Sequence, residues 1–415
     1  MRTRKWIAII AAGAAMVCGT RAGDLTPPGA PGPTMHTLEE IYQKQLQLEA
    51  KLTAQEQEVL RARQEAERTR QDVRLILYVL GPTLPWQLTT VDSAGTVGSH
   101  TSLAFGPDGQ PAISYFDSSN LDLKFARFDG SSWSLTTVDS AGTVGQYTSL
   151  AFGPDGQPAI SYYLSGVGDL KFARFNGSNW IRTTVASSDL IGSYTSLAFG
   201  PDGQPAISYY DLTSGDLKFA RYNGSAWSIT TVDSEGTVGS YTSLAFGPDG
   251  QPAISYYDLI SGDLKFARYN GSAWSITTVD SVGDVGQYTS LAFGPDGQPA
   301  ISYYLSGGGD LKFARYNGSA WSLTTVDSAG TVGQFTSLAF GPDGQPAISY
   351  YDATNGDLKF ARYNGSAWSL TTVDSAGDVG SYTSLAFGPD GQPAISYYDI
   401  TNGDLKFARR GLFVK

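Results

Sequence analysis

The chain has 415 residues, 41% of them hydrophobic, with one cysteine, two histidines and a net charge of −11 at neutral pH. From Gly81 onward, 17 Lys and Arg face 30 Asp and Glu, a balance of −13. A surface this acidic, with no basic stripe, excludes nucleic acid and anionic membranes as partners, because contacts to phosphate dominate such affinities.

Arg2, Arg4 and Lys5 precede an apolar run from Trp6 to about Gly19, and Thr20-Arg21-Ala22 offers small residues flanking a cleavage point. Residues 1–22 are therefore expected to be a signal peptide, which makes the protein secreted, periplasmic or attached to the cell surface. An uncleaved anchor is the alternative, although the run is shorter than a membrane-spanning helix needs. Cys18 lies in this leader, so a chain cleaved after Ala22 has no thiol chemistry. Residues 23–36 are rich in Pro and Gly and read as a linker.

Over residues 37–80 the pattern becomes helical. Leu38, Gln45, Leu52, Val59, Ala66, Val73 and Leu80 fall seven apart, interleaved with Ile41, Leu48, Gln55, Ala62, Thr69 and Ile76, among dense Glu, Gln, Lys and Arg. This spacing predicts a coiled coil that joins copies of the chain into a homo-oligomer. A single amphipathic helix folded back on the rest of the chain is the other reading. Gly81-Pro82 ends the helix.

From Trp86 to Lys415 a 47-residue unit repeats without insertion or deletion. The phrase TSLAFGPDGQPAISY starts at Thr101, Thr148, Thr195, Thr242, Thr289, Thr336 and Thr383, and a Trp keeps the same step from Trp86 to Trp368. In the copy at Thr195, Leu197 and Phe199 alternate with Ser196 and Ala198, which is strand patterning. Gly200-Pro201-Asp202-Gly203 is a turn in which Pro presets φ, Asp bonds its own backbone and Gly supplies positive φ. Strands at Pro205–Tyr210, Asp216–Tyr222 and Trp227–Val232 follow, the last two joined at Asn223-Gly224 by an expected two-residue type I′ turn. Four strands per unit, called a to d, predict an all-β, seven-bladed propeller. The d-type strand at 86–92 has no a, b and c before it, and the last unit lacks its own d. Strand 86–92 is therefore expected to complete the last blade and close the ring.

Catalytic chemistry is scarce in the repeats. No Cys, no His cluster and no metal-ligand spacing occurs there, and His100 stands where the other copies have Tyr or Phe. No enzyme, no metal and no cofactor is expected. Asp202 and its equivalents belong to turns. Asp216 with Lys218 and Arg221 reads as a ladder of ion pairs along strand c, and Asp233 as a loop cap. The runs Asp280 to Asp284 and Asp374 to Asp378 lack the alternating ligands of a calcium loop.

Alternating strand direction puts the a–b and c–d turns on one face of the disc and the longer b–c and d–a loops on the other. The variable, Tyr- and Asp-rich loops are the expected binding surface, since function on a rigid scaffold sits in loops. Tyr194, Tyr241, Tyr288 and Tyr382, with Tyr210, Tyr257 and Tyr351, would offer flat faces beside Asp211, Asp258 and Asp352. Aromatic planes next to carboxylates suit sugar rings. The competing explanation is that these tyrosines pack between blades.

The unit LAFGPDGQPAISYYDxxxGDLKFARYNGSAW resembles the repeats of secreted bacterial propellers of NHL-like grammar, and its GDLKFARYNGSAW half is similar to tachylectin-type propeller lectins. The resemblance covers Trp86 to Lys415. It implies a glycan or cell-surface ligand held between neighbouring blades. The repeat departs from those lectins by lacking a second Trp or Arg of the kind their pockets add at the rim. The resulting expectation is an exported, noncatalytic, multivalent binder. A protein-interaction scaffold and a glycosidase or lyase at the channel mouth are the alternatives.

Overall fold

The computed structural model describes residues 37–80, 84–188 and 190–411. The expected signal peptide and linker lie outside these residues. The chain divides into two units, residues 1–71 and 72–415.

Helix α1 spans Leu38–Leu80. Its start is fixed by a reciprocal cap: the Glu40 amide donates to Thr37 Oγ1 at 3.2 Å and the Thr37 amide to Glu40 Oε2 at 2.9 Å. Two otherwise unpaired donors are satisfied that way. Ile41, Leu48, Leu52 and Val59 of the heptad stripe are 51–66% exposed. Among the described residues, no helix is long and apolar enough to cross a membrane.

The repeats form seven four-stranded antiparallel sheets, the blades of a propeller. Blades I to VI comprise residues 97–139, 144–187, 191–233, 238–280, 285–327 and 332–374. Blade VII takes its a, b and c strands from residues 379–410 and its d strand from residues 86–92, with Trp86 opposite Arg410 and Leu88 opposite Ala408. The expected closure is thus observed.

The core is divided among the seams between blades. Ala206, Leu217, Phe219 and Val232 of blade III pack on Val238, Leu244, Ile254, Tyr256 and Ala267 of blade IV, and equivalent clusters fill the other seams. Alternation along each strand explains this, since successive side chains face opposite neighbours. Two belts of hydrogen bonds sew the seams nearer the axis. Thr of strand a meets Ser of the preceding blade's strand b, as in Thr242 to Ser208, and Thr101 to Ser396 closes that circle. The Leu amide of strand a donates to Ser of the preceding strand a, as Leu244 does to Ser196 at 3.0 Å.

Three details depart from the sequence reading. The c–d connection is a four-residue loop, 223–226, in which Gly224 but not Asn223 has positive φ. Asn223 Oδ1 instead accepts from the Ser225 and Ala226 amides, which favours the longer loop. Strand a begins at Ile191 rather than Thr195, so part of the supposed d–a loop is inner strand. Gly permits this: in Gly239, at φ 110°, a Cβ would lie 2.8 Å from the Leu217 Cα of the preceding blade. Lastly, most strand-c ion pairs run outward from their strand, and Lys218–Asp216 is the exception. Arg221 binds Asp202 of its own blade's turn, and Lys312 reaches Asp280 of the preceding blade.

Candidate functional site

The outer third of each seam is built from four aromatic and basic positions that repeat with the blade. The Trp that opens strand d packs edge-on against a strand-c Phe of the preceding blade, with centroids 5.2–5.3 Å apart in all seven seams. The strand-c Arg lies over the Phe that ends the next blade's strand a, 4.7–5.5 Å from its centroid. Arg221 is held in that plane by Asp202 at 2.5 Å and by the Gln204 carbonyl at 3.0 Å. Partial burial opposes ionisation of Asp202, but the Gln204 amide and Arg221 outweigh it and keep the carboxyl below its ordinary pKa.

Between these walls open clefts. The one between blades I and II is about 700 Å³ and is lined by Arg127, Ser134, Phe152, Gln157, Trp180 and Arg182. Its counterpart between blades III and IV is about 500 Å³, with Arg221, Ser228, Phe246, Gln251 and Trp274. Both sizes suit a small ligand. Each wall combines aromatic carbon with guanidinium, amide and hydroxyl groups, which can face an apolar surface and hydrogen-bond at its edge. Among the described residues, no three of His, Cys, Asp and Glu gather as metal ligands.

A second feature lies on the axis. His100, Tyr147, Tyr194, Tyr241, Tyr288, Phe335 and Tyr382 all hold left-handed backbone, φ 52–54°, at the bulge of strand a. Side chains at such φ are uncommon and cost about 1–3 kcal/mol each. The bulge turns seven rings toward one another in a closed circle, with centroids 4.4–4.7 Å apart and planes 46–59° apart. These angles bracket one seventh of a turn, so the ring planes stand nearly parallel to the axis. A cavity of about 180 Å³ is lined by the rings and the seven threonines that follow them. His100 keeps part of its surface open, yet the surrounding protein desolvates its imidazolium and pushes its pKa down to about 4. Burial, then the neighbouring hydroxyls, raise Tyr147, Tyr194 and Tyr241. The axial site is accordingly uncharged at neutral pH.

The residues singled out from sequence divide into two groups. Tyr194, Tyr241, Tyr288 and Tyr382 belong to the axial ring. Tyr210, Tyr257 and Tyr351 are buried, and Tyr257 and Tyr351 donate to Asp284 at 2.5 Å and Asp378 at 2.6 Å. Asp211, Asp258 and Asp352 are buried as well and cap the b–c turns, accepting from the Thr213, Ile260 and Thr354 amides. The tyrosines and carboxylates therefore do not converge on one cleft. The clefts open instead beside the a–b and c–d turns, from residues read as purely structural. The rim Arg found wanting in the sequence is present, since each strand-c Arg reaches its seam. The signal was in the alternation, which places Phe219 and Arg221 on the same side of strand c.

No protein-family model matches the sequence, and no curated protein does. Solved structures do match. A puromycin hydrolase is similar at 13% identity with a TM-score of 0.52, over 77% of this chain and 55% of its own. YCF48 bound to D1 peptide aligns at 15% identity with a TM-score of 0.50, over 79% and 95%. A lectin of Aleuria aurantia, in complex with Fucalpha1-6GlcNAc, aligns at 16% identity with a TM-score of 0.48, over 68% and 96%. At these identities the likeness is one of fold.

Proposed function

We propose that this protein is an exported, noncatalytic, multivalent binder that takes sugar units of glycans in the clefts between its blades. The observation that supports this reading most directly is the wall shared by the two clefts, a Trp beside an Arg held flat, with Gln and Ser at the edge. A pyranose has an apolar face for the indole and hydroxyls for the guanidinium, amide and serine. Catalysis fits less well, because the nearest carboxylates, such as Asp202, are locked to arginine rather than poised to exchange a proton. Helix α1, with its exposed aliphatic stripe, joins copies of the chain, and linked rings gain avidity from weak single sites.

Glycan-array binding of the full chain tests this. Replacing Ser134, Ser228, Ser275, Ser322 and Ser369 by Tyr fills five clefts at exposed positions. The variant is expected to keep its thermal transition and lose most of its glycan signal. An unchanged signal would move the site elsewhere, and no signal from the parent protein would sink the sugar reading. A protein-binding scaffold is the second reading, favoured by Leu88, Leu135, Ile229, Ile276, Leu323 and Leu370, which are 42–45% exposed along the outer strands.

A further inference from the structure

In six seams strand d ends in an aspartate, Asp92, Asp139, Asp233, Asp280, Asp327 or Asp374, and its carboxylate organises the seam. A buried Tyr hydroxyl of the next blade donates to it at 2.6–2.8 Å in each case. The amide two residues further on donates to its other oxygen at 3.1–3.2 Å. In four seams a strand-c Lys of the next blade joins it at 2.5–2.8 Å. The seventh seam, between blades II and III, has Ala186 at this position. Its side chain stops at Cβ, while the Tyr and the Lys of the next blade are still present. Tyr209 is fully buried, and among the described residues its hydroxyl has no partner. Lys218, equivalent to the bridging lysines, turns to its own Asp216 at 2.7 Å and to Thr231 at 2.8 Å.

A buried hydroxyl left unpaired is destabilising, because it gives up its bond to water and gains none in return. Here the unpaired hydroxyl points where six sibling seams place a negative charge, and an ammonium group stands on the same strand as its siblings. The geometry points to a binding site for a small monovalent anion, a halide or a one-carbon carboxylate, at the blade II–III seam, held by Tyr209 Oη–H and Lys218 Nζ in place of the missing aspartate. The anion would act as a removable seventh carboxylate, tying the stability of one seam to the ionic surroundings.

Thermal unfolding of the full chain at constant ionic strength, in sodium chloride, sodium formate or sodium gluconate, tests this, since gluconate is too large for the site. The melting temperature is expected to rise by on the order of 1–2 °C in chloride or formate relative to gluconate. A rise in chloride alone identifies a halide site, and a rise in formate identifies a carboxylate site. Ala186→Asp, which supplies the carboxylate covalently, and Tyr209→Phe, which removes the orphan donor, should each abolish the difference. Equal melting in all three salts overturns the proposal. So does a difference that survives in both variants, which would mark a general salt effect.

Discussion

At the scale of single residues, the aspartates that end strand d carry more than the loop-capping role their sequence suggests. Burial opposes ionisation of Asp280, but Lys312, Tyr303 and the Val282 amide outweigh it, so its pKa falls below the ordinary value. Asp92, Asp327 and Asp374 behave alike. A carboxyl with a depressed folded pKa contributes stability that is complete above the unfolded pKa, about 4, and is lost as pH falls through the folded value. Asp122, Asp357 and Asp404 act in the opposite sense, raised by burial and a facing aspartate, and soften the decline. Unfolding midpoints are therefore expected to hold steady from pH 7 to about 5 and to drop below about 4. Asp280→Ala should cost about 1–3 kcal/mol at pH 7, with the Tyr303 hydroxyl left buried and unpaired, and should flatten part of that drop. Glycine is as decisive elsewhere. Gly239→Ala must fit a Cβ 2.8 Å from the Leu217 backbone at φ 110°, so a loss of about 2 kcal/mol or more is expected in denaturant titration.

At the scale of elements, the sequence was most legible where local chemistry and packing agree. Strands b and c were read to within a residue, because strand b is a short run bounded by turn residues and strand c alternates Leu217, Phe219 and Arg221 with Lys218 and Ala220. The seam-closing strand at 86–92 was legible because a lone Trp-led strand has only one open edge to join. Strand a was read too short: Gly192 and the aromatic residue after it look like loop until the neighbouring blade is present to press on them. For the same reason Tyr194 looked like a loop ligand and lies in the axial ring. The ring's closure depends on contacts between copies 47 residues apart, which no single repeat displays. Helix α1 was legible from its heptads, whereas its Thr37 cap went unread. Its exposed Ile41, Leu48, Leu52 and Val59 give a specific expectation. Light scattering should find the intact chain larger than one protomer, and a chain lacking residues 37–80 should be monomeric with the propeller's unfolding transition retained. Two monomers would contradict it.

At the scale of the whole molecule, near-sevenfold repetition makes every feature of one seam a feature of most. The Trp, Arg and Phe that wall the two described clefts recur in every seam. The exceptions are local: Ala186 and Arg182 alter the seams on either side of blade II, and His100 and Phe335 alter the axial ring. Equilibrium binding stoichiometry separates the readings, because clefts between blades would bind several equivalents per chain and the axial ring would bind one. With a monosaccharide identified on the array, titration calorimetry of the full chain should give more than one equivalent per propeller, approaching seven as the clefts fill. One equivalent per chain would place the site on the axis and contradict the account.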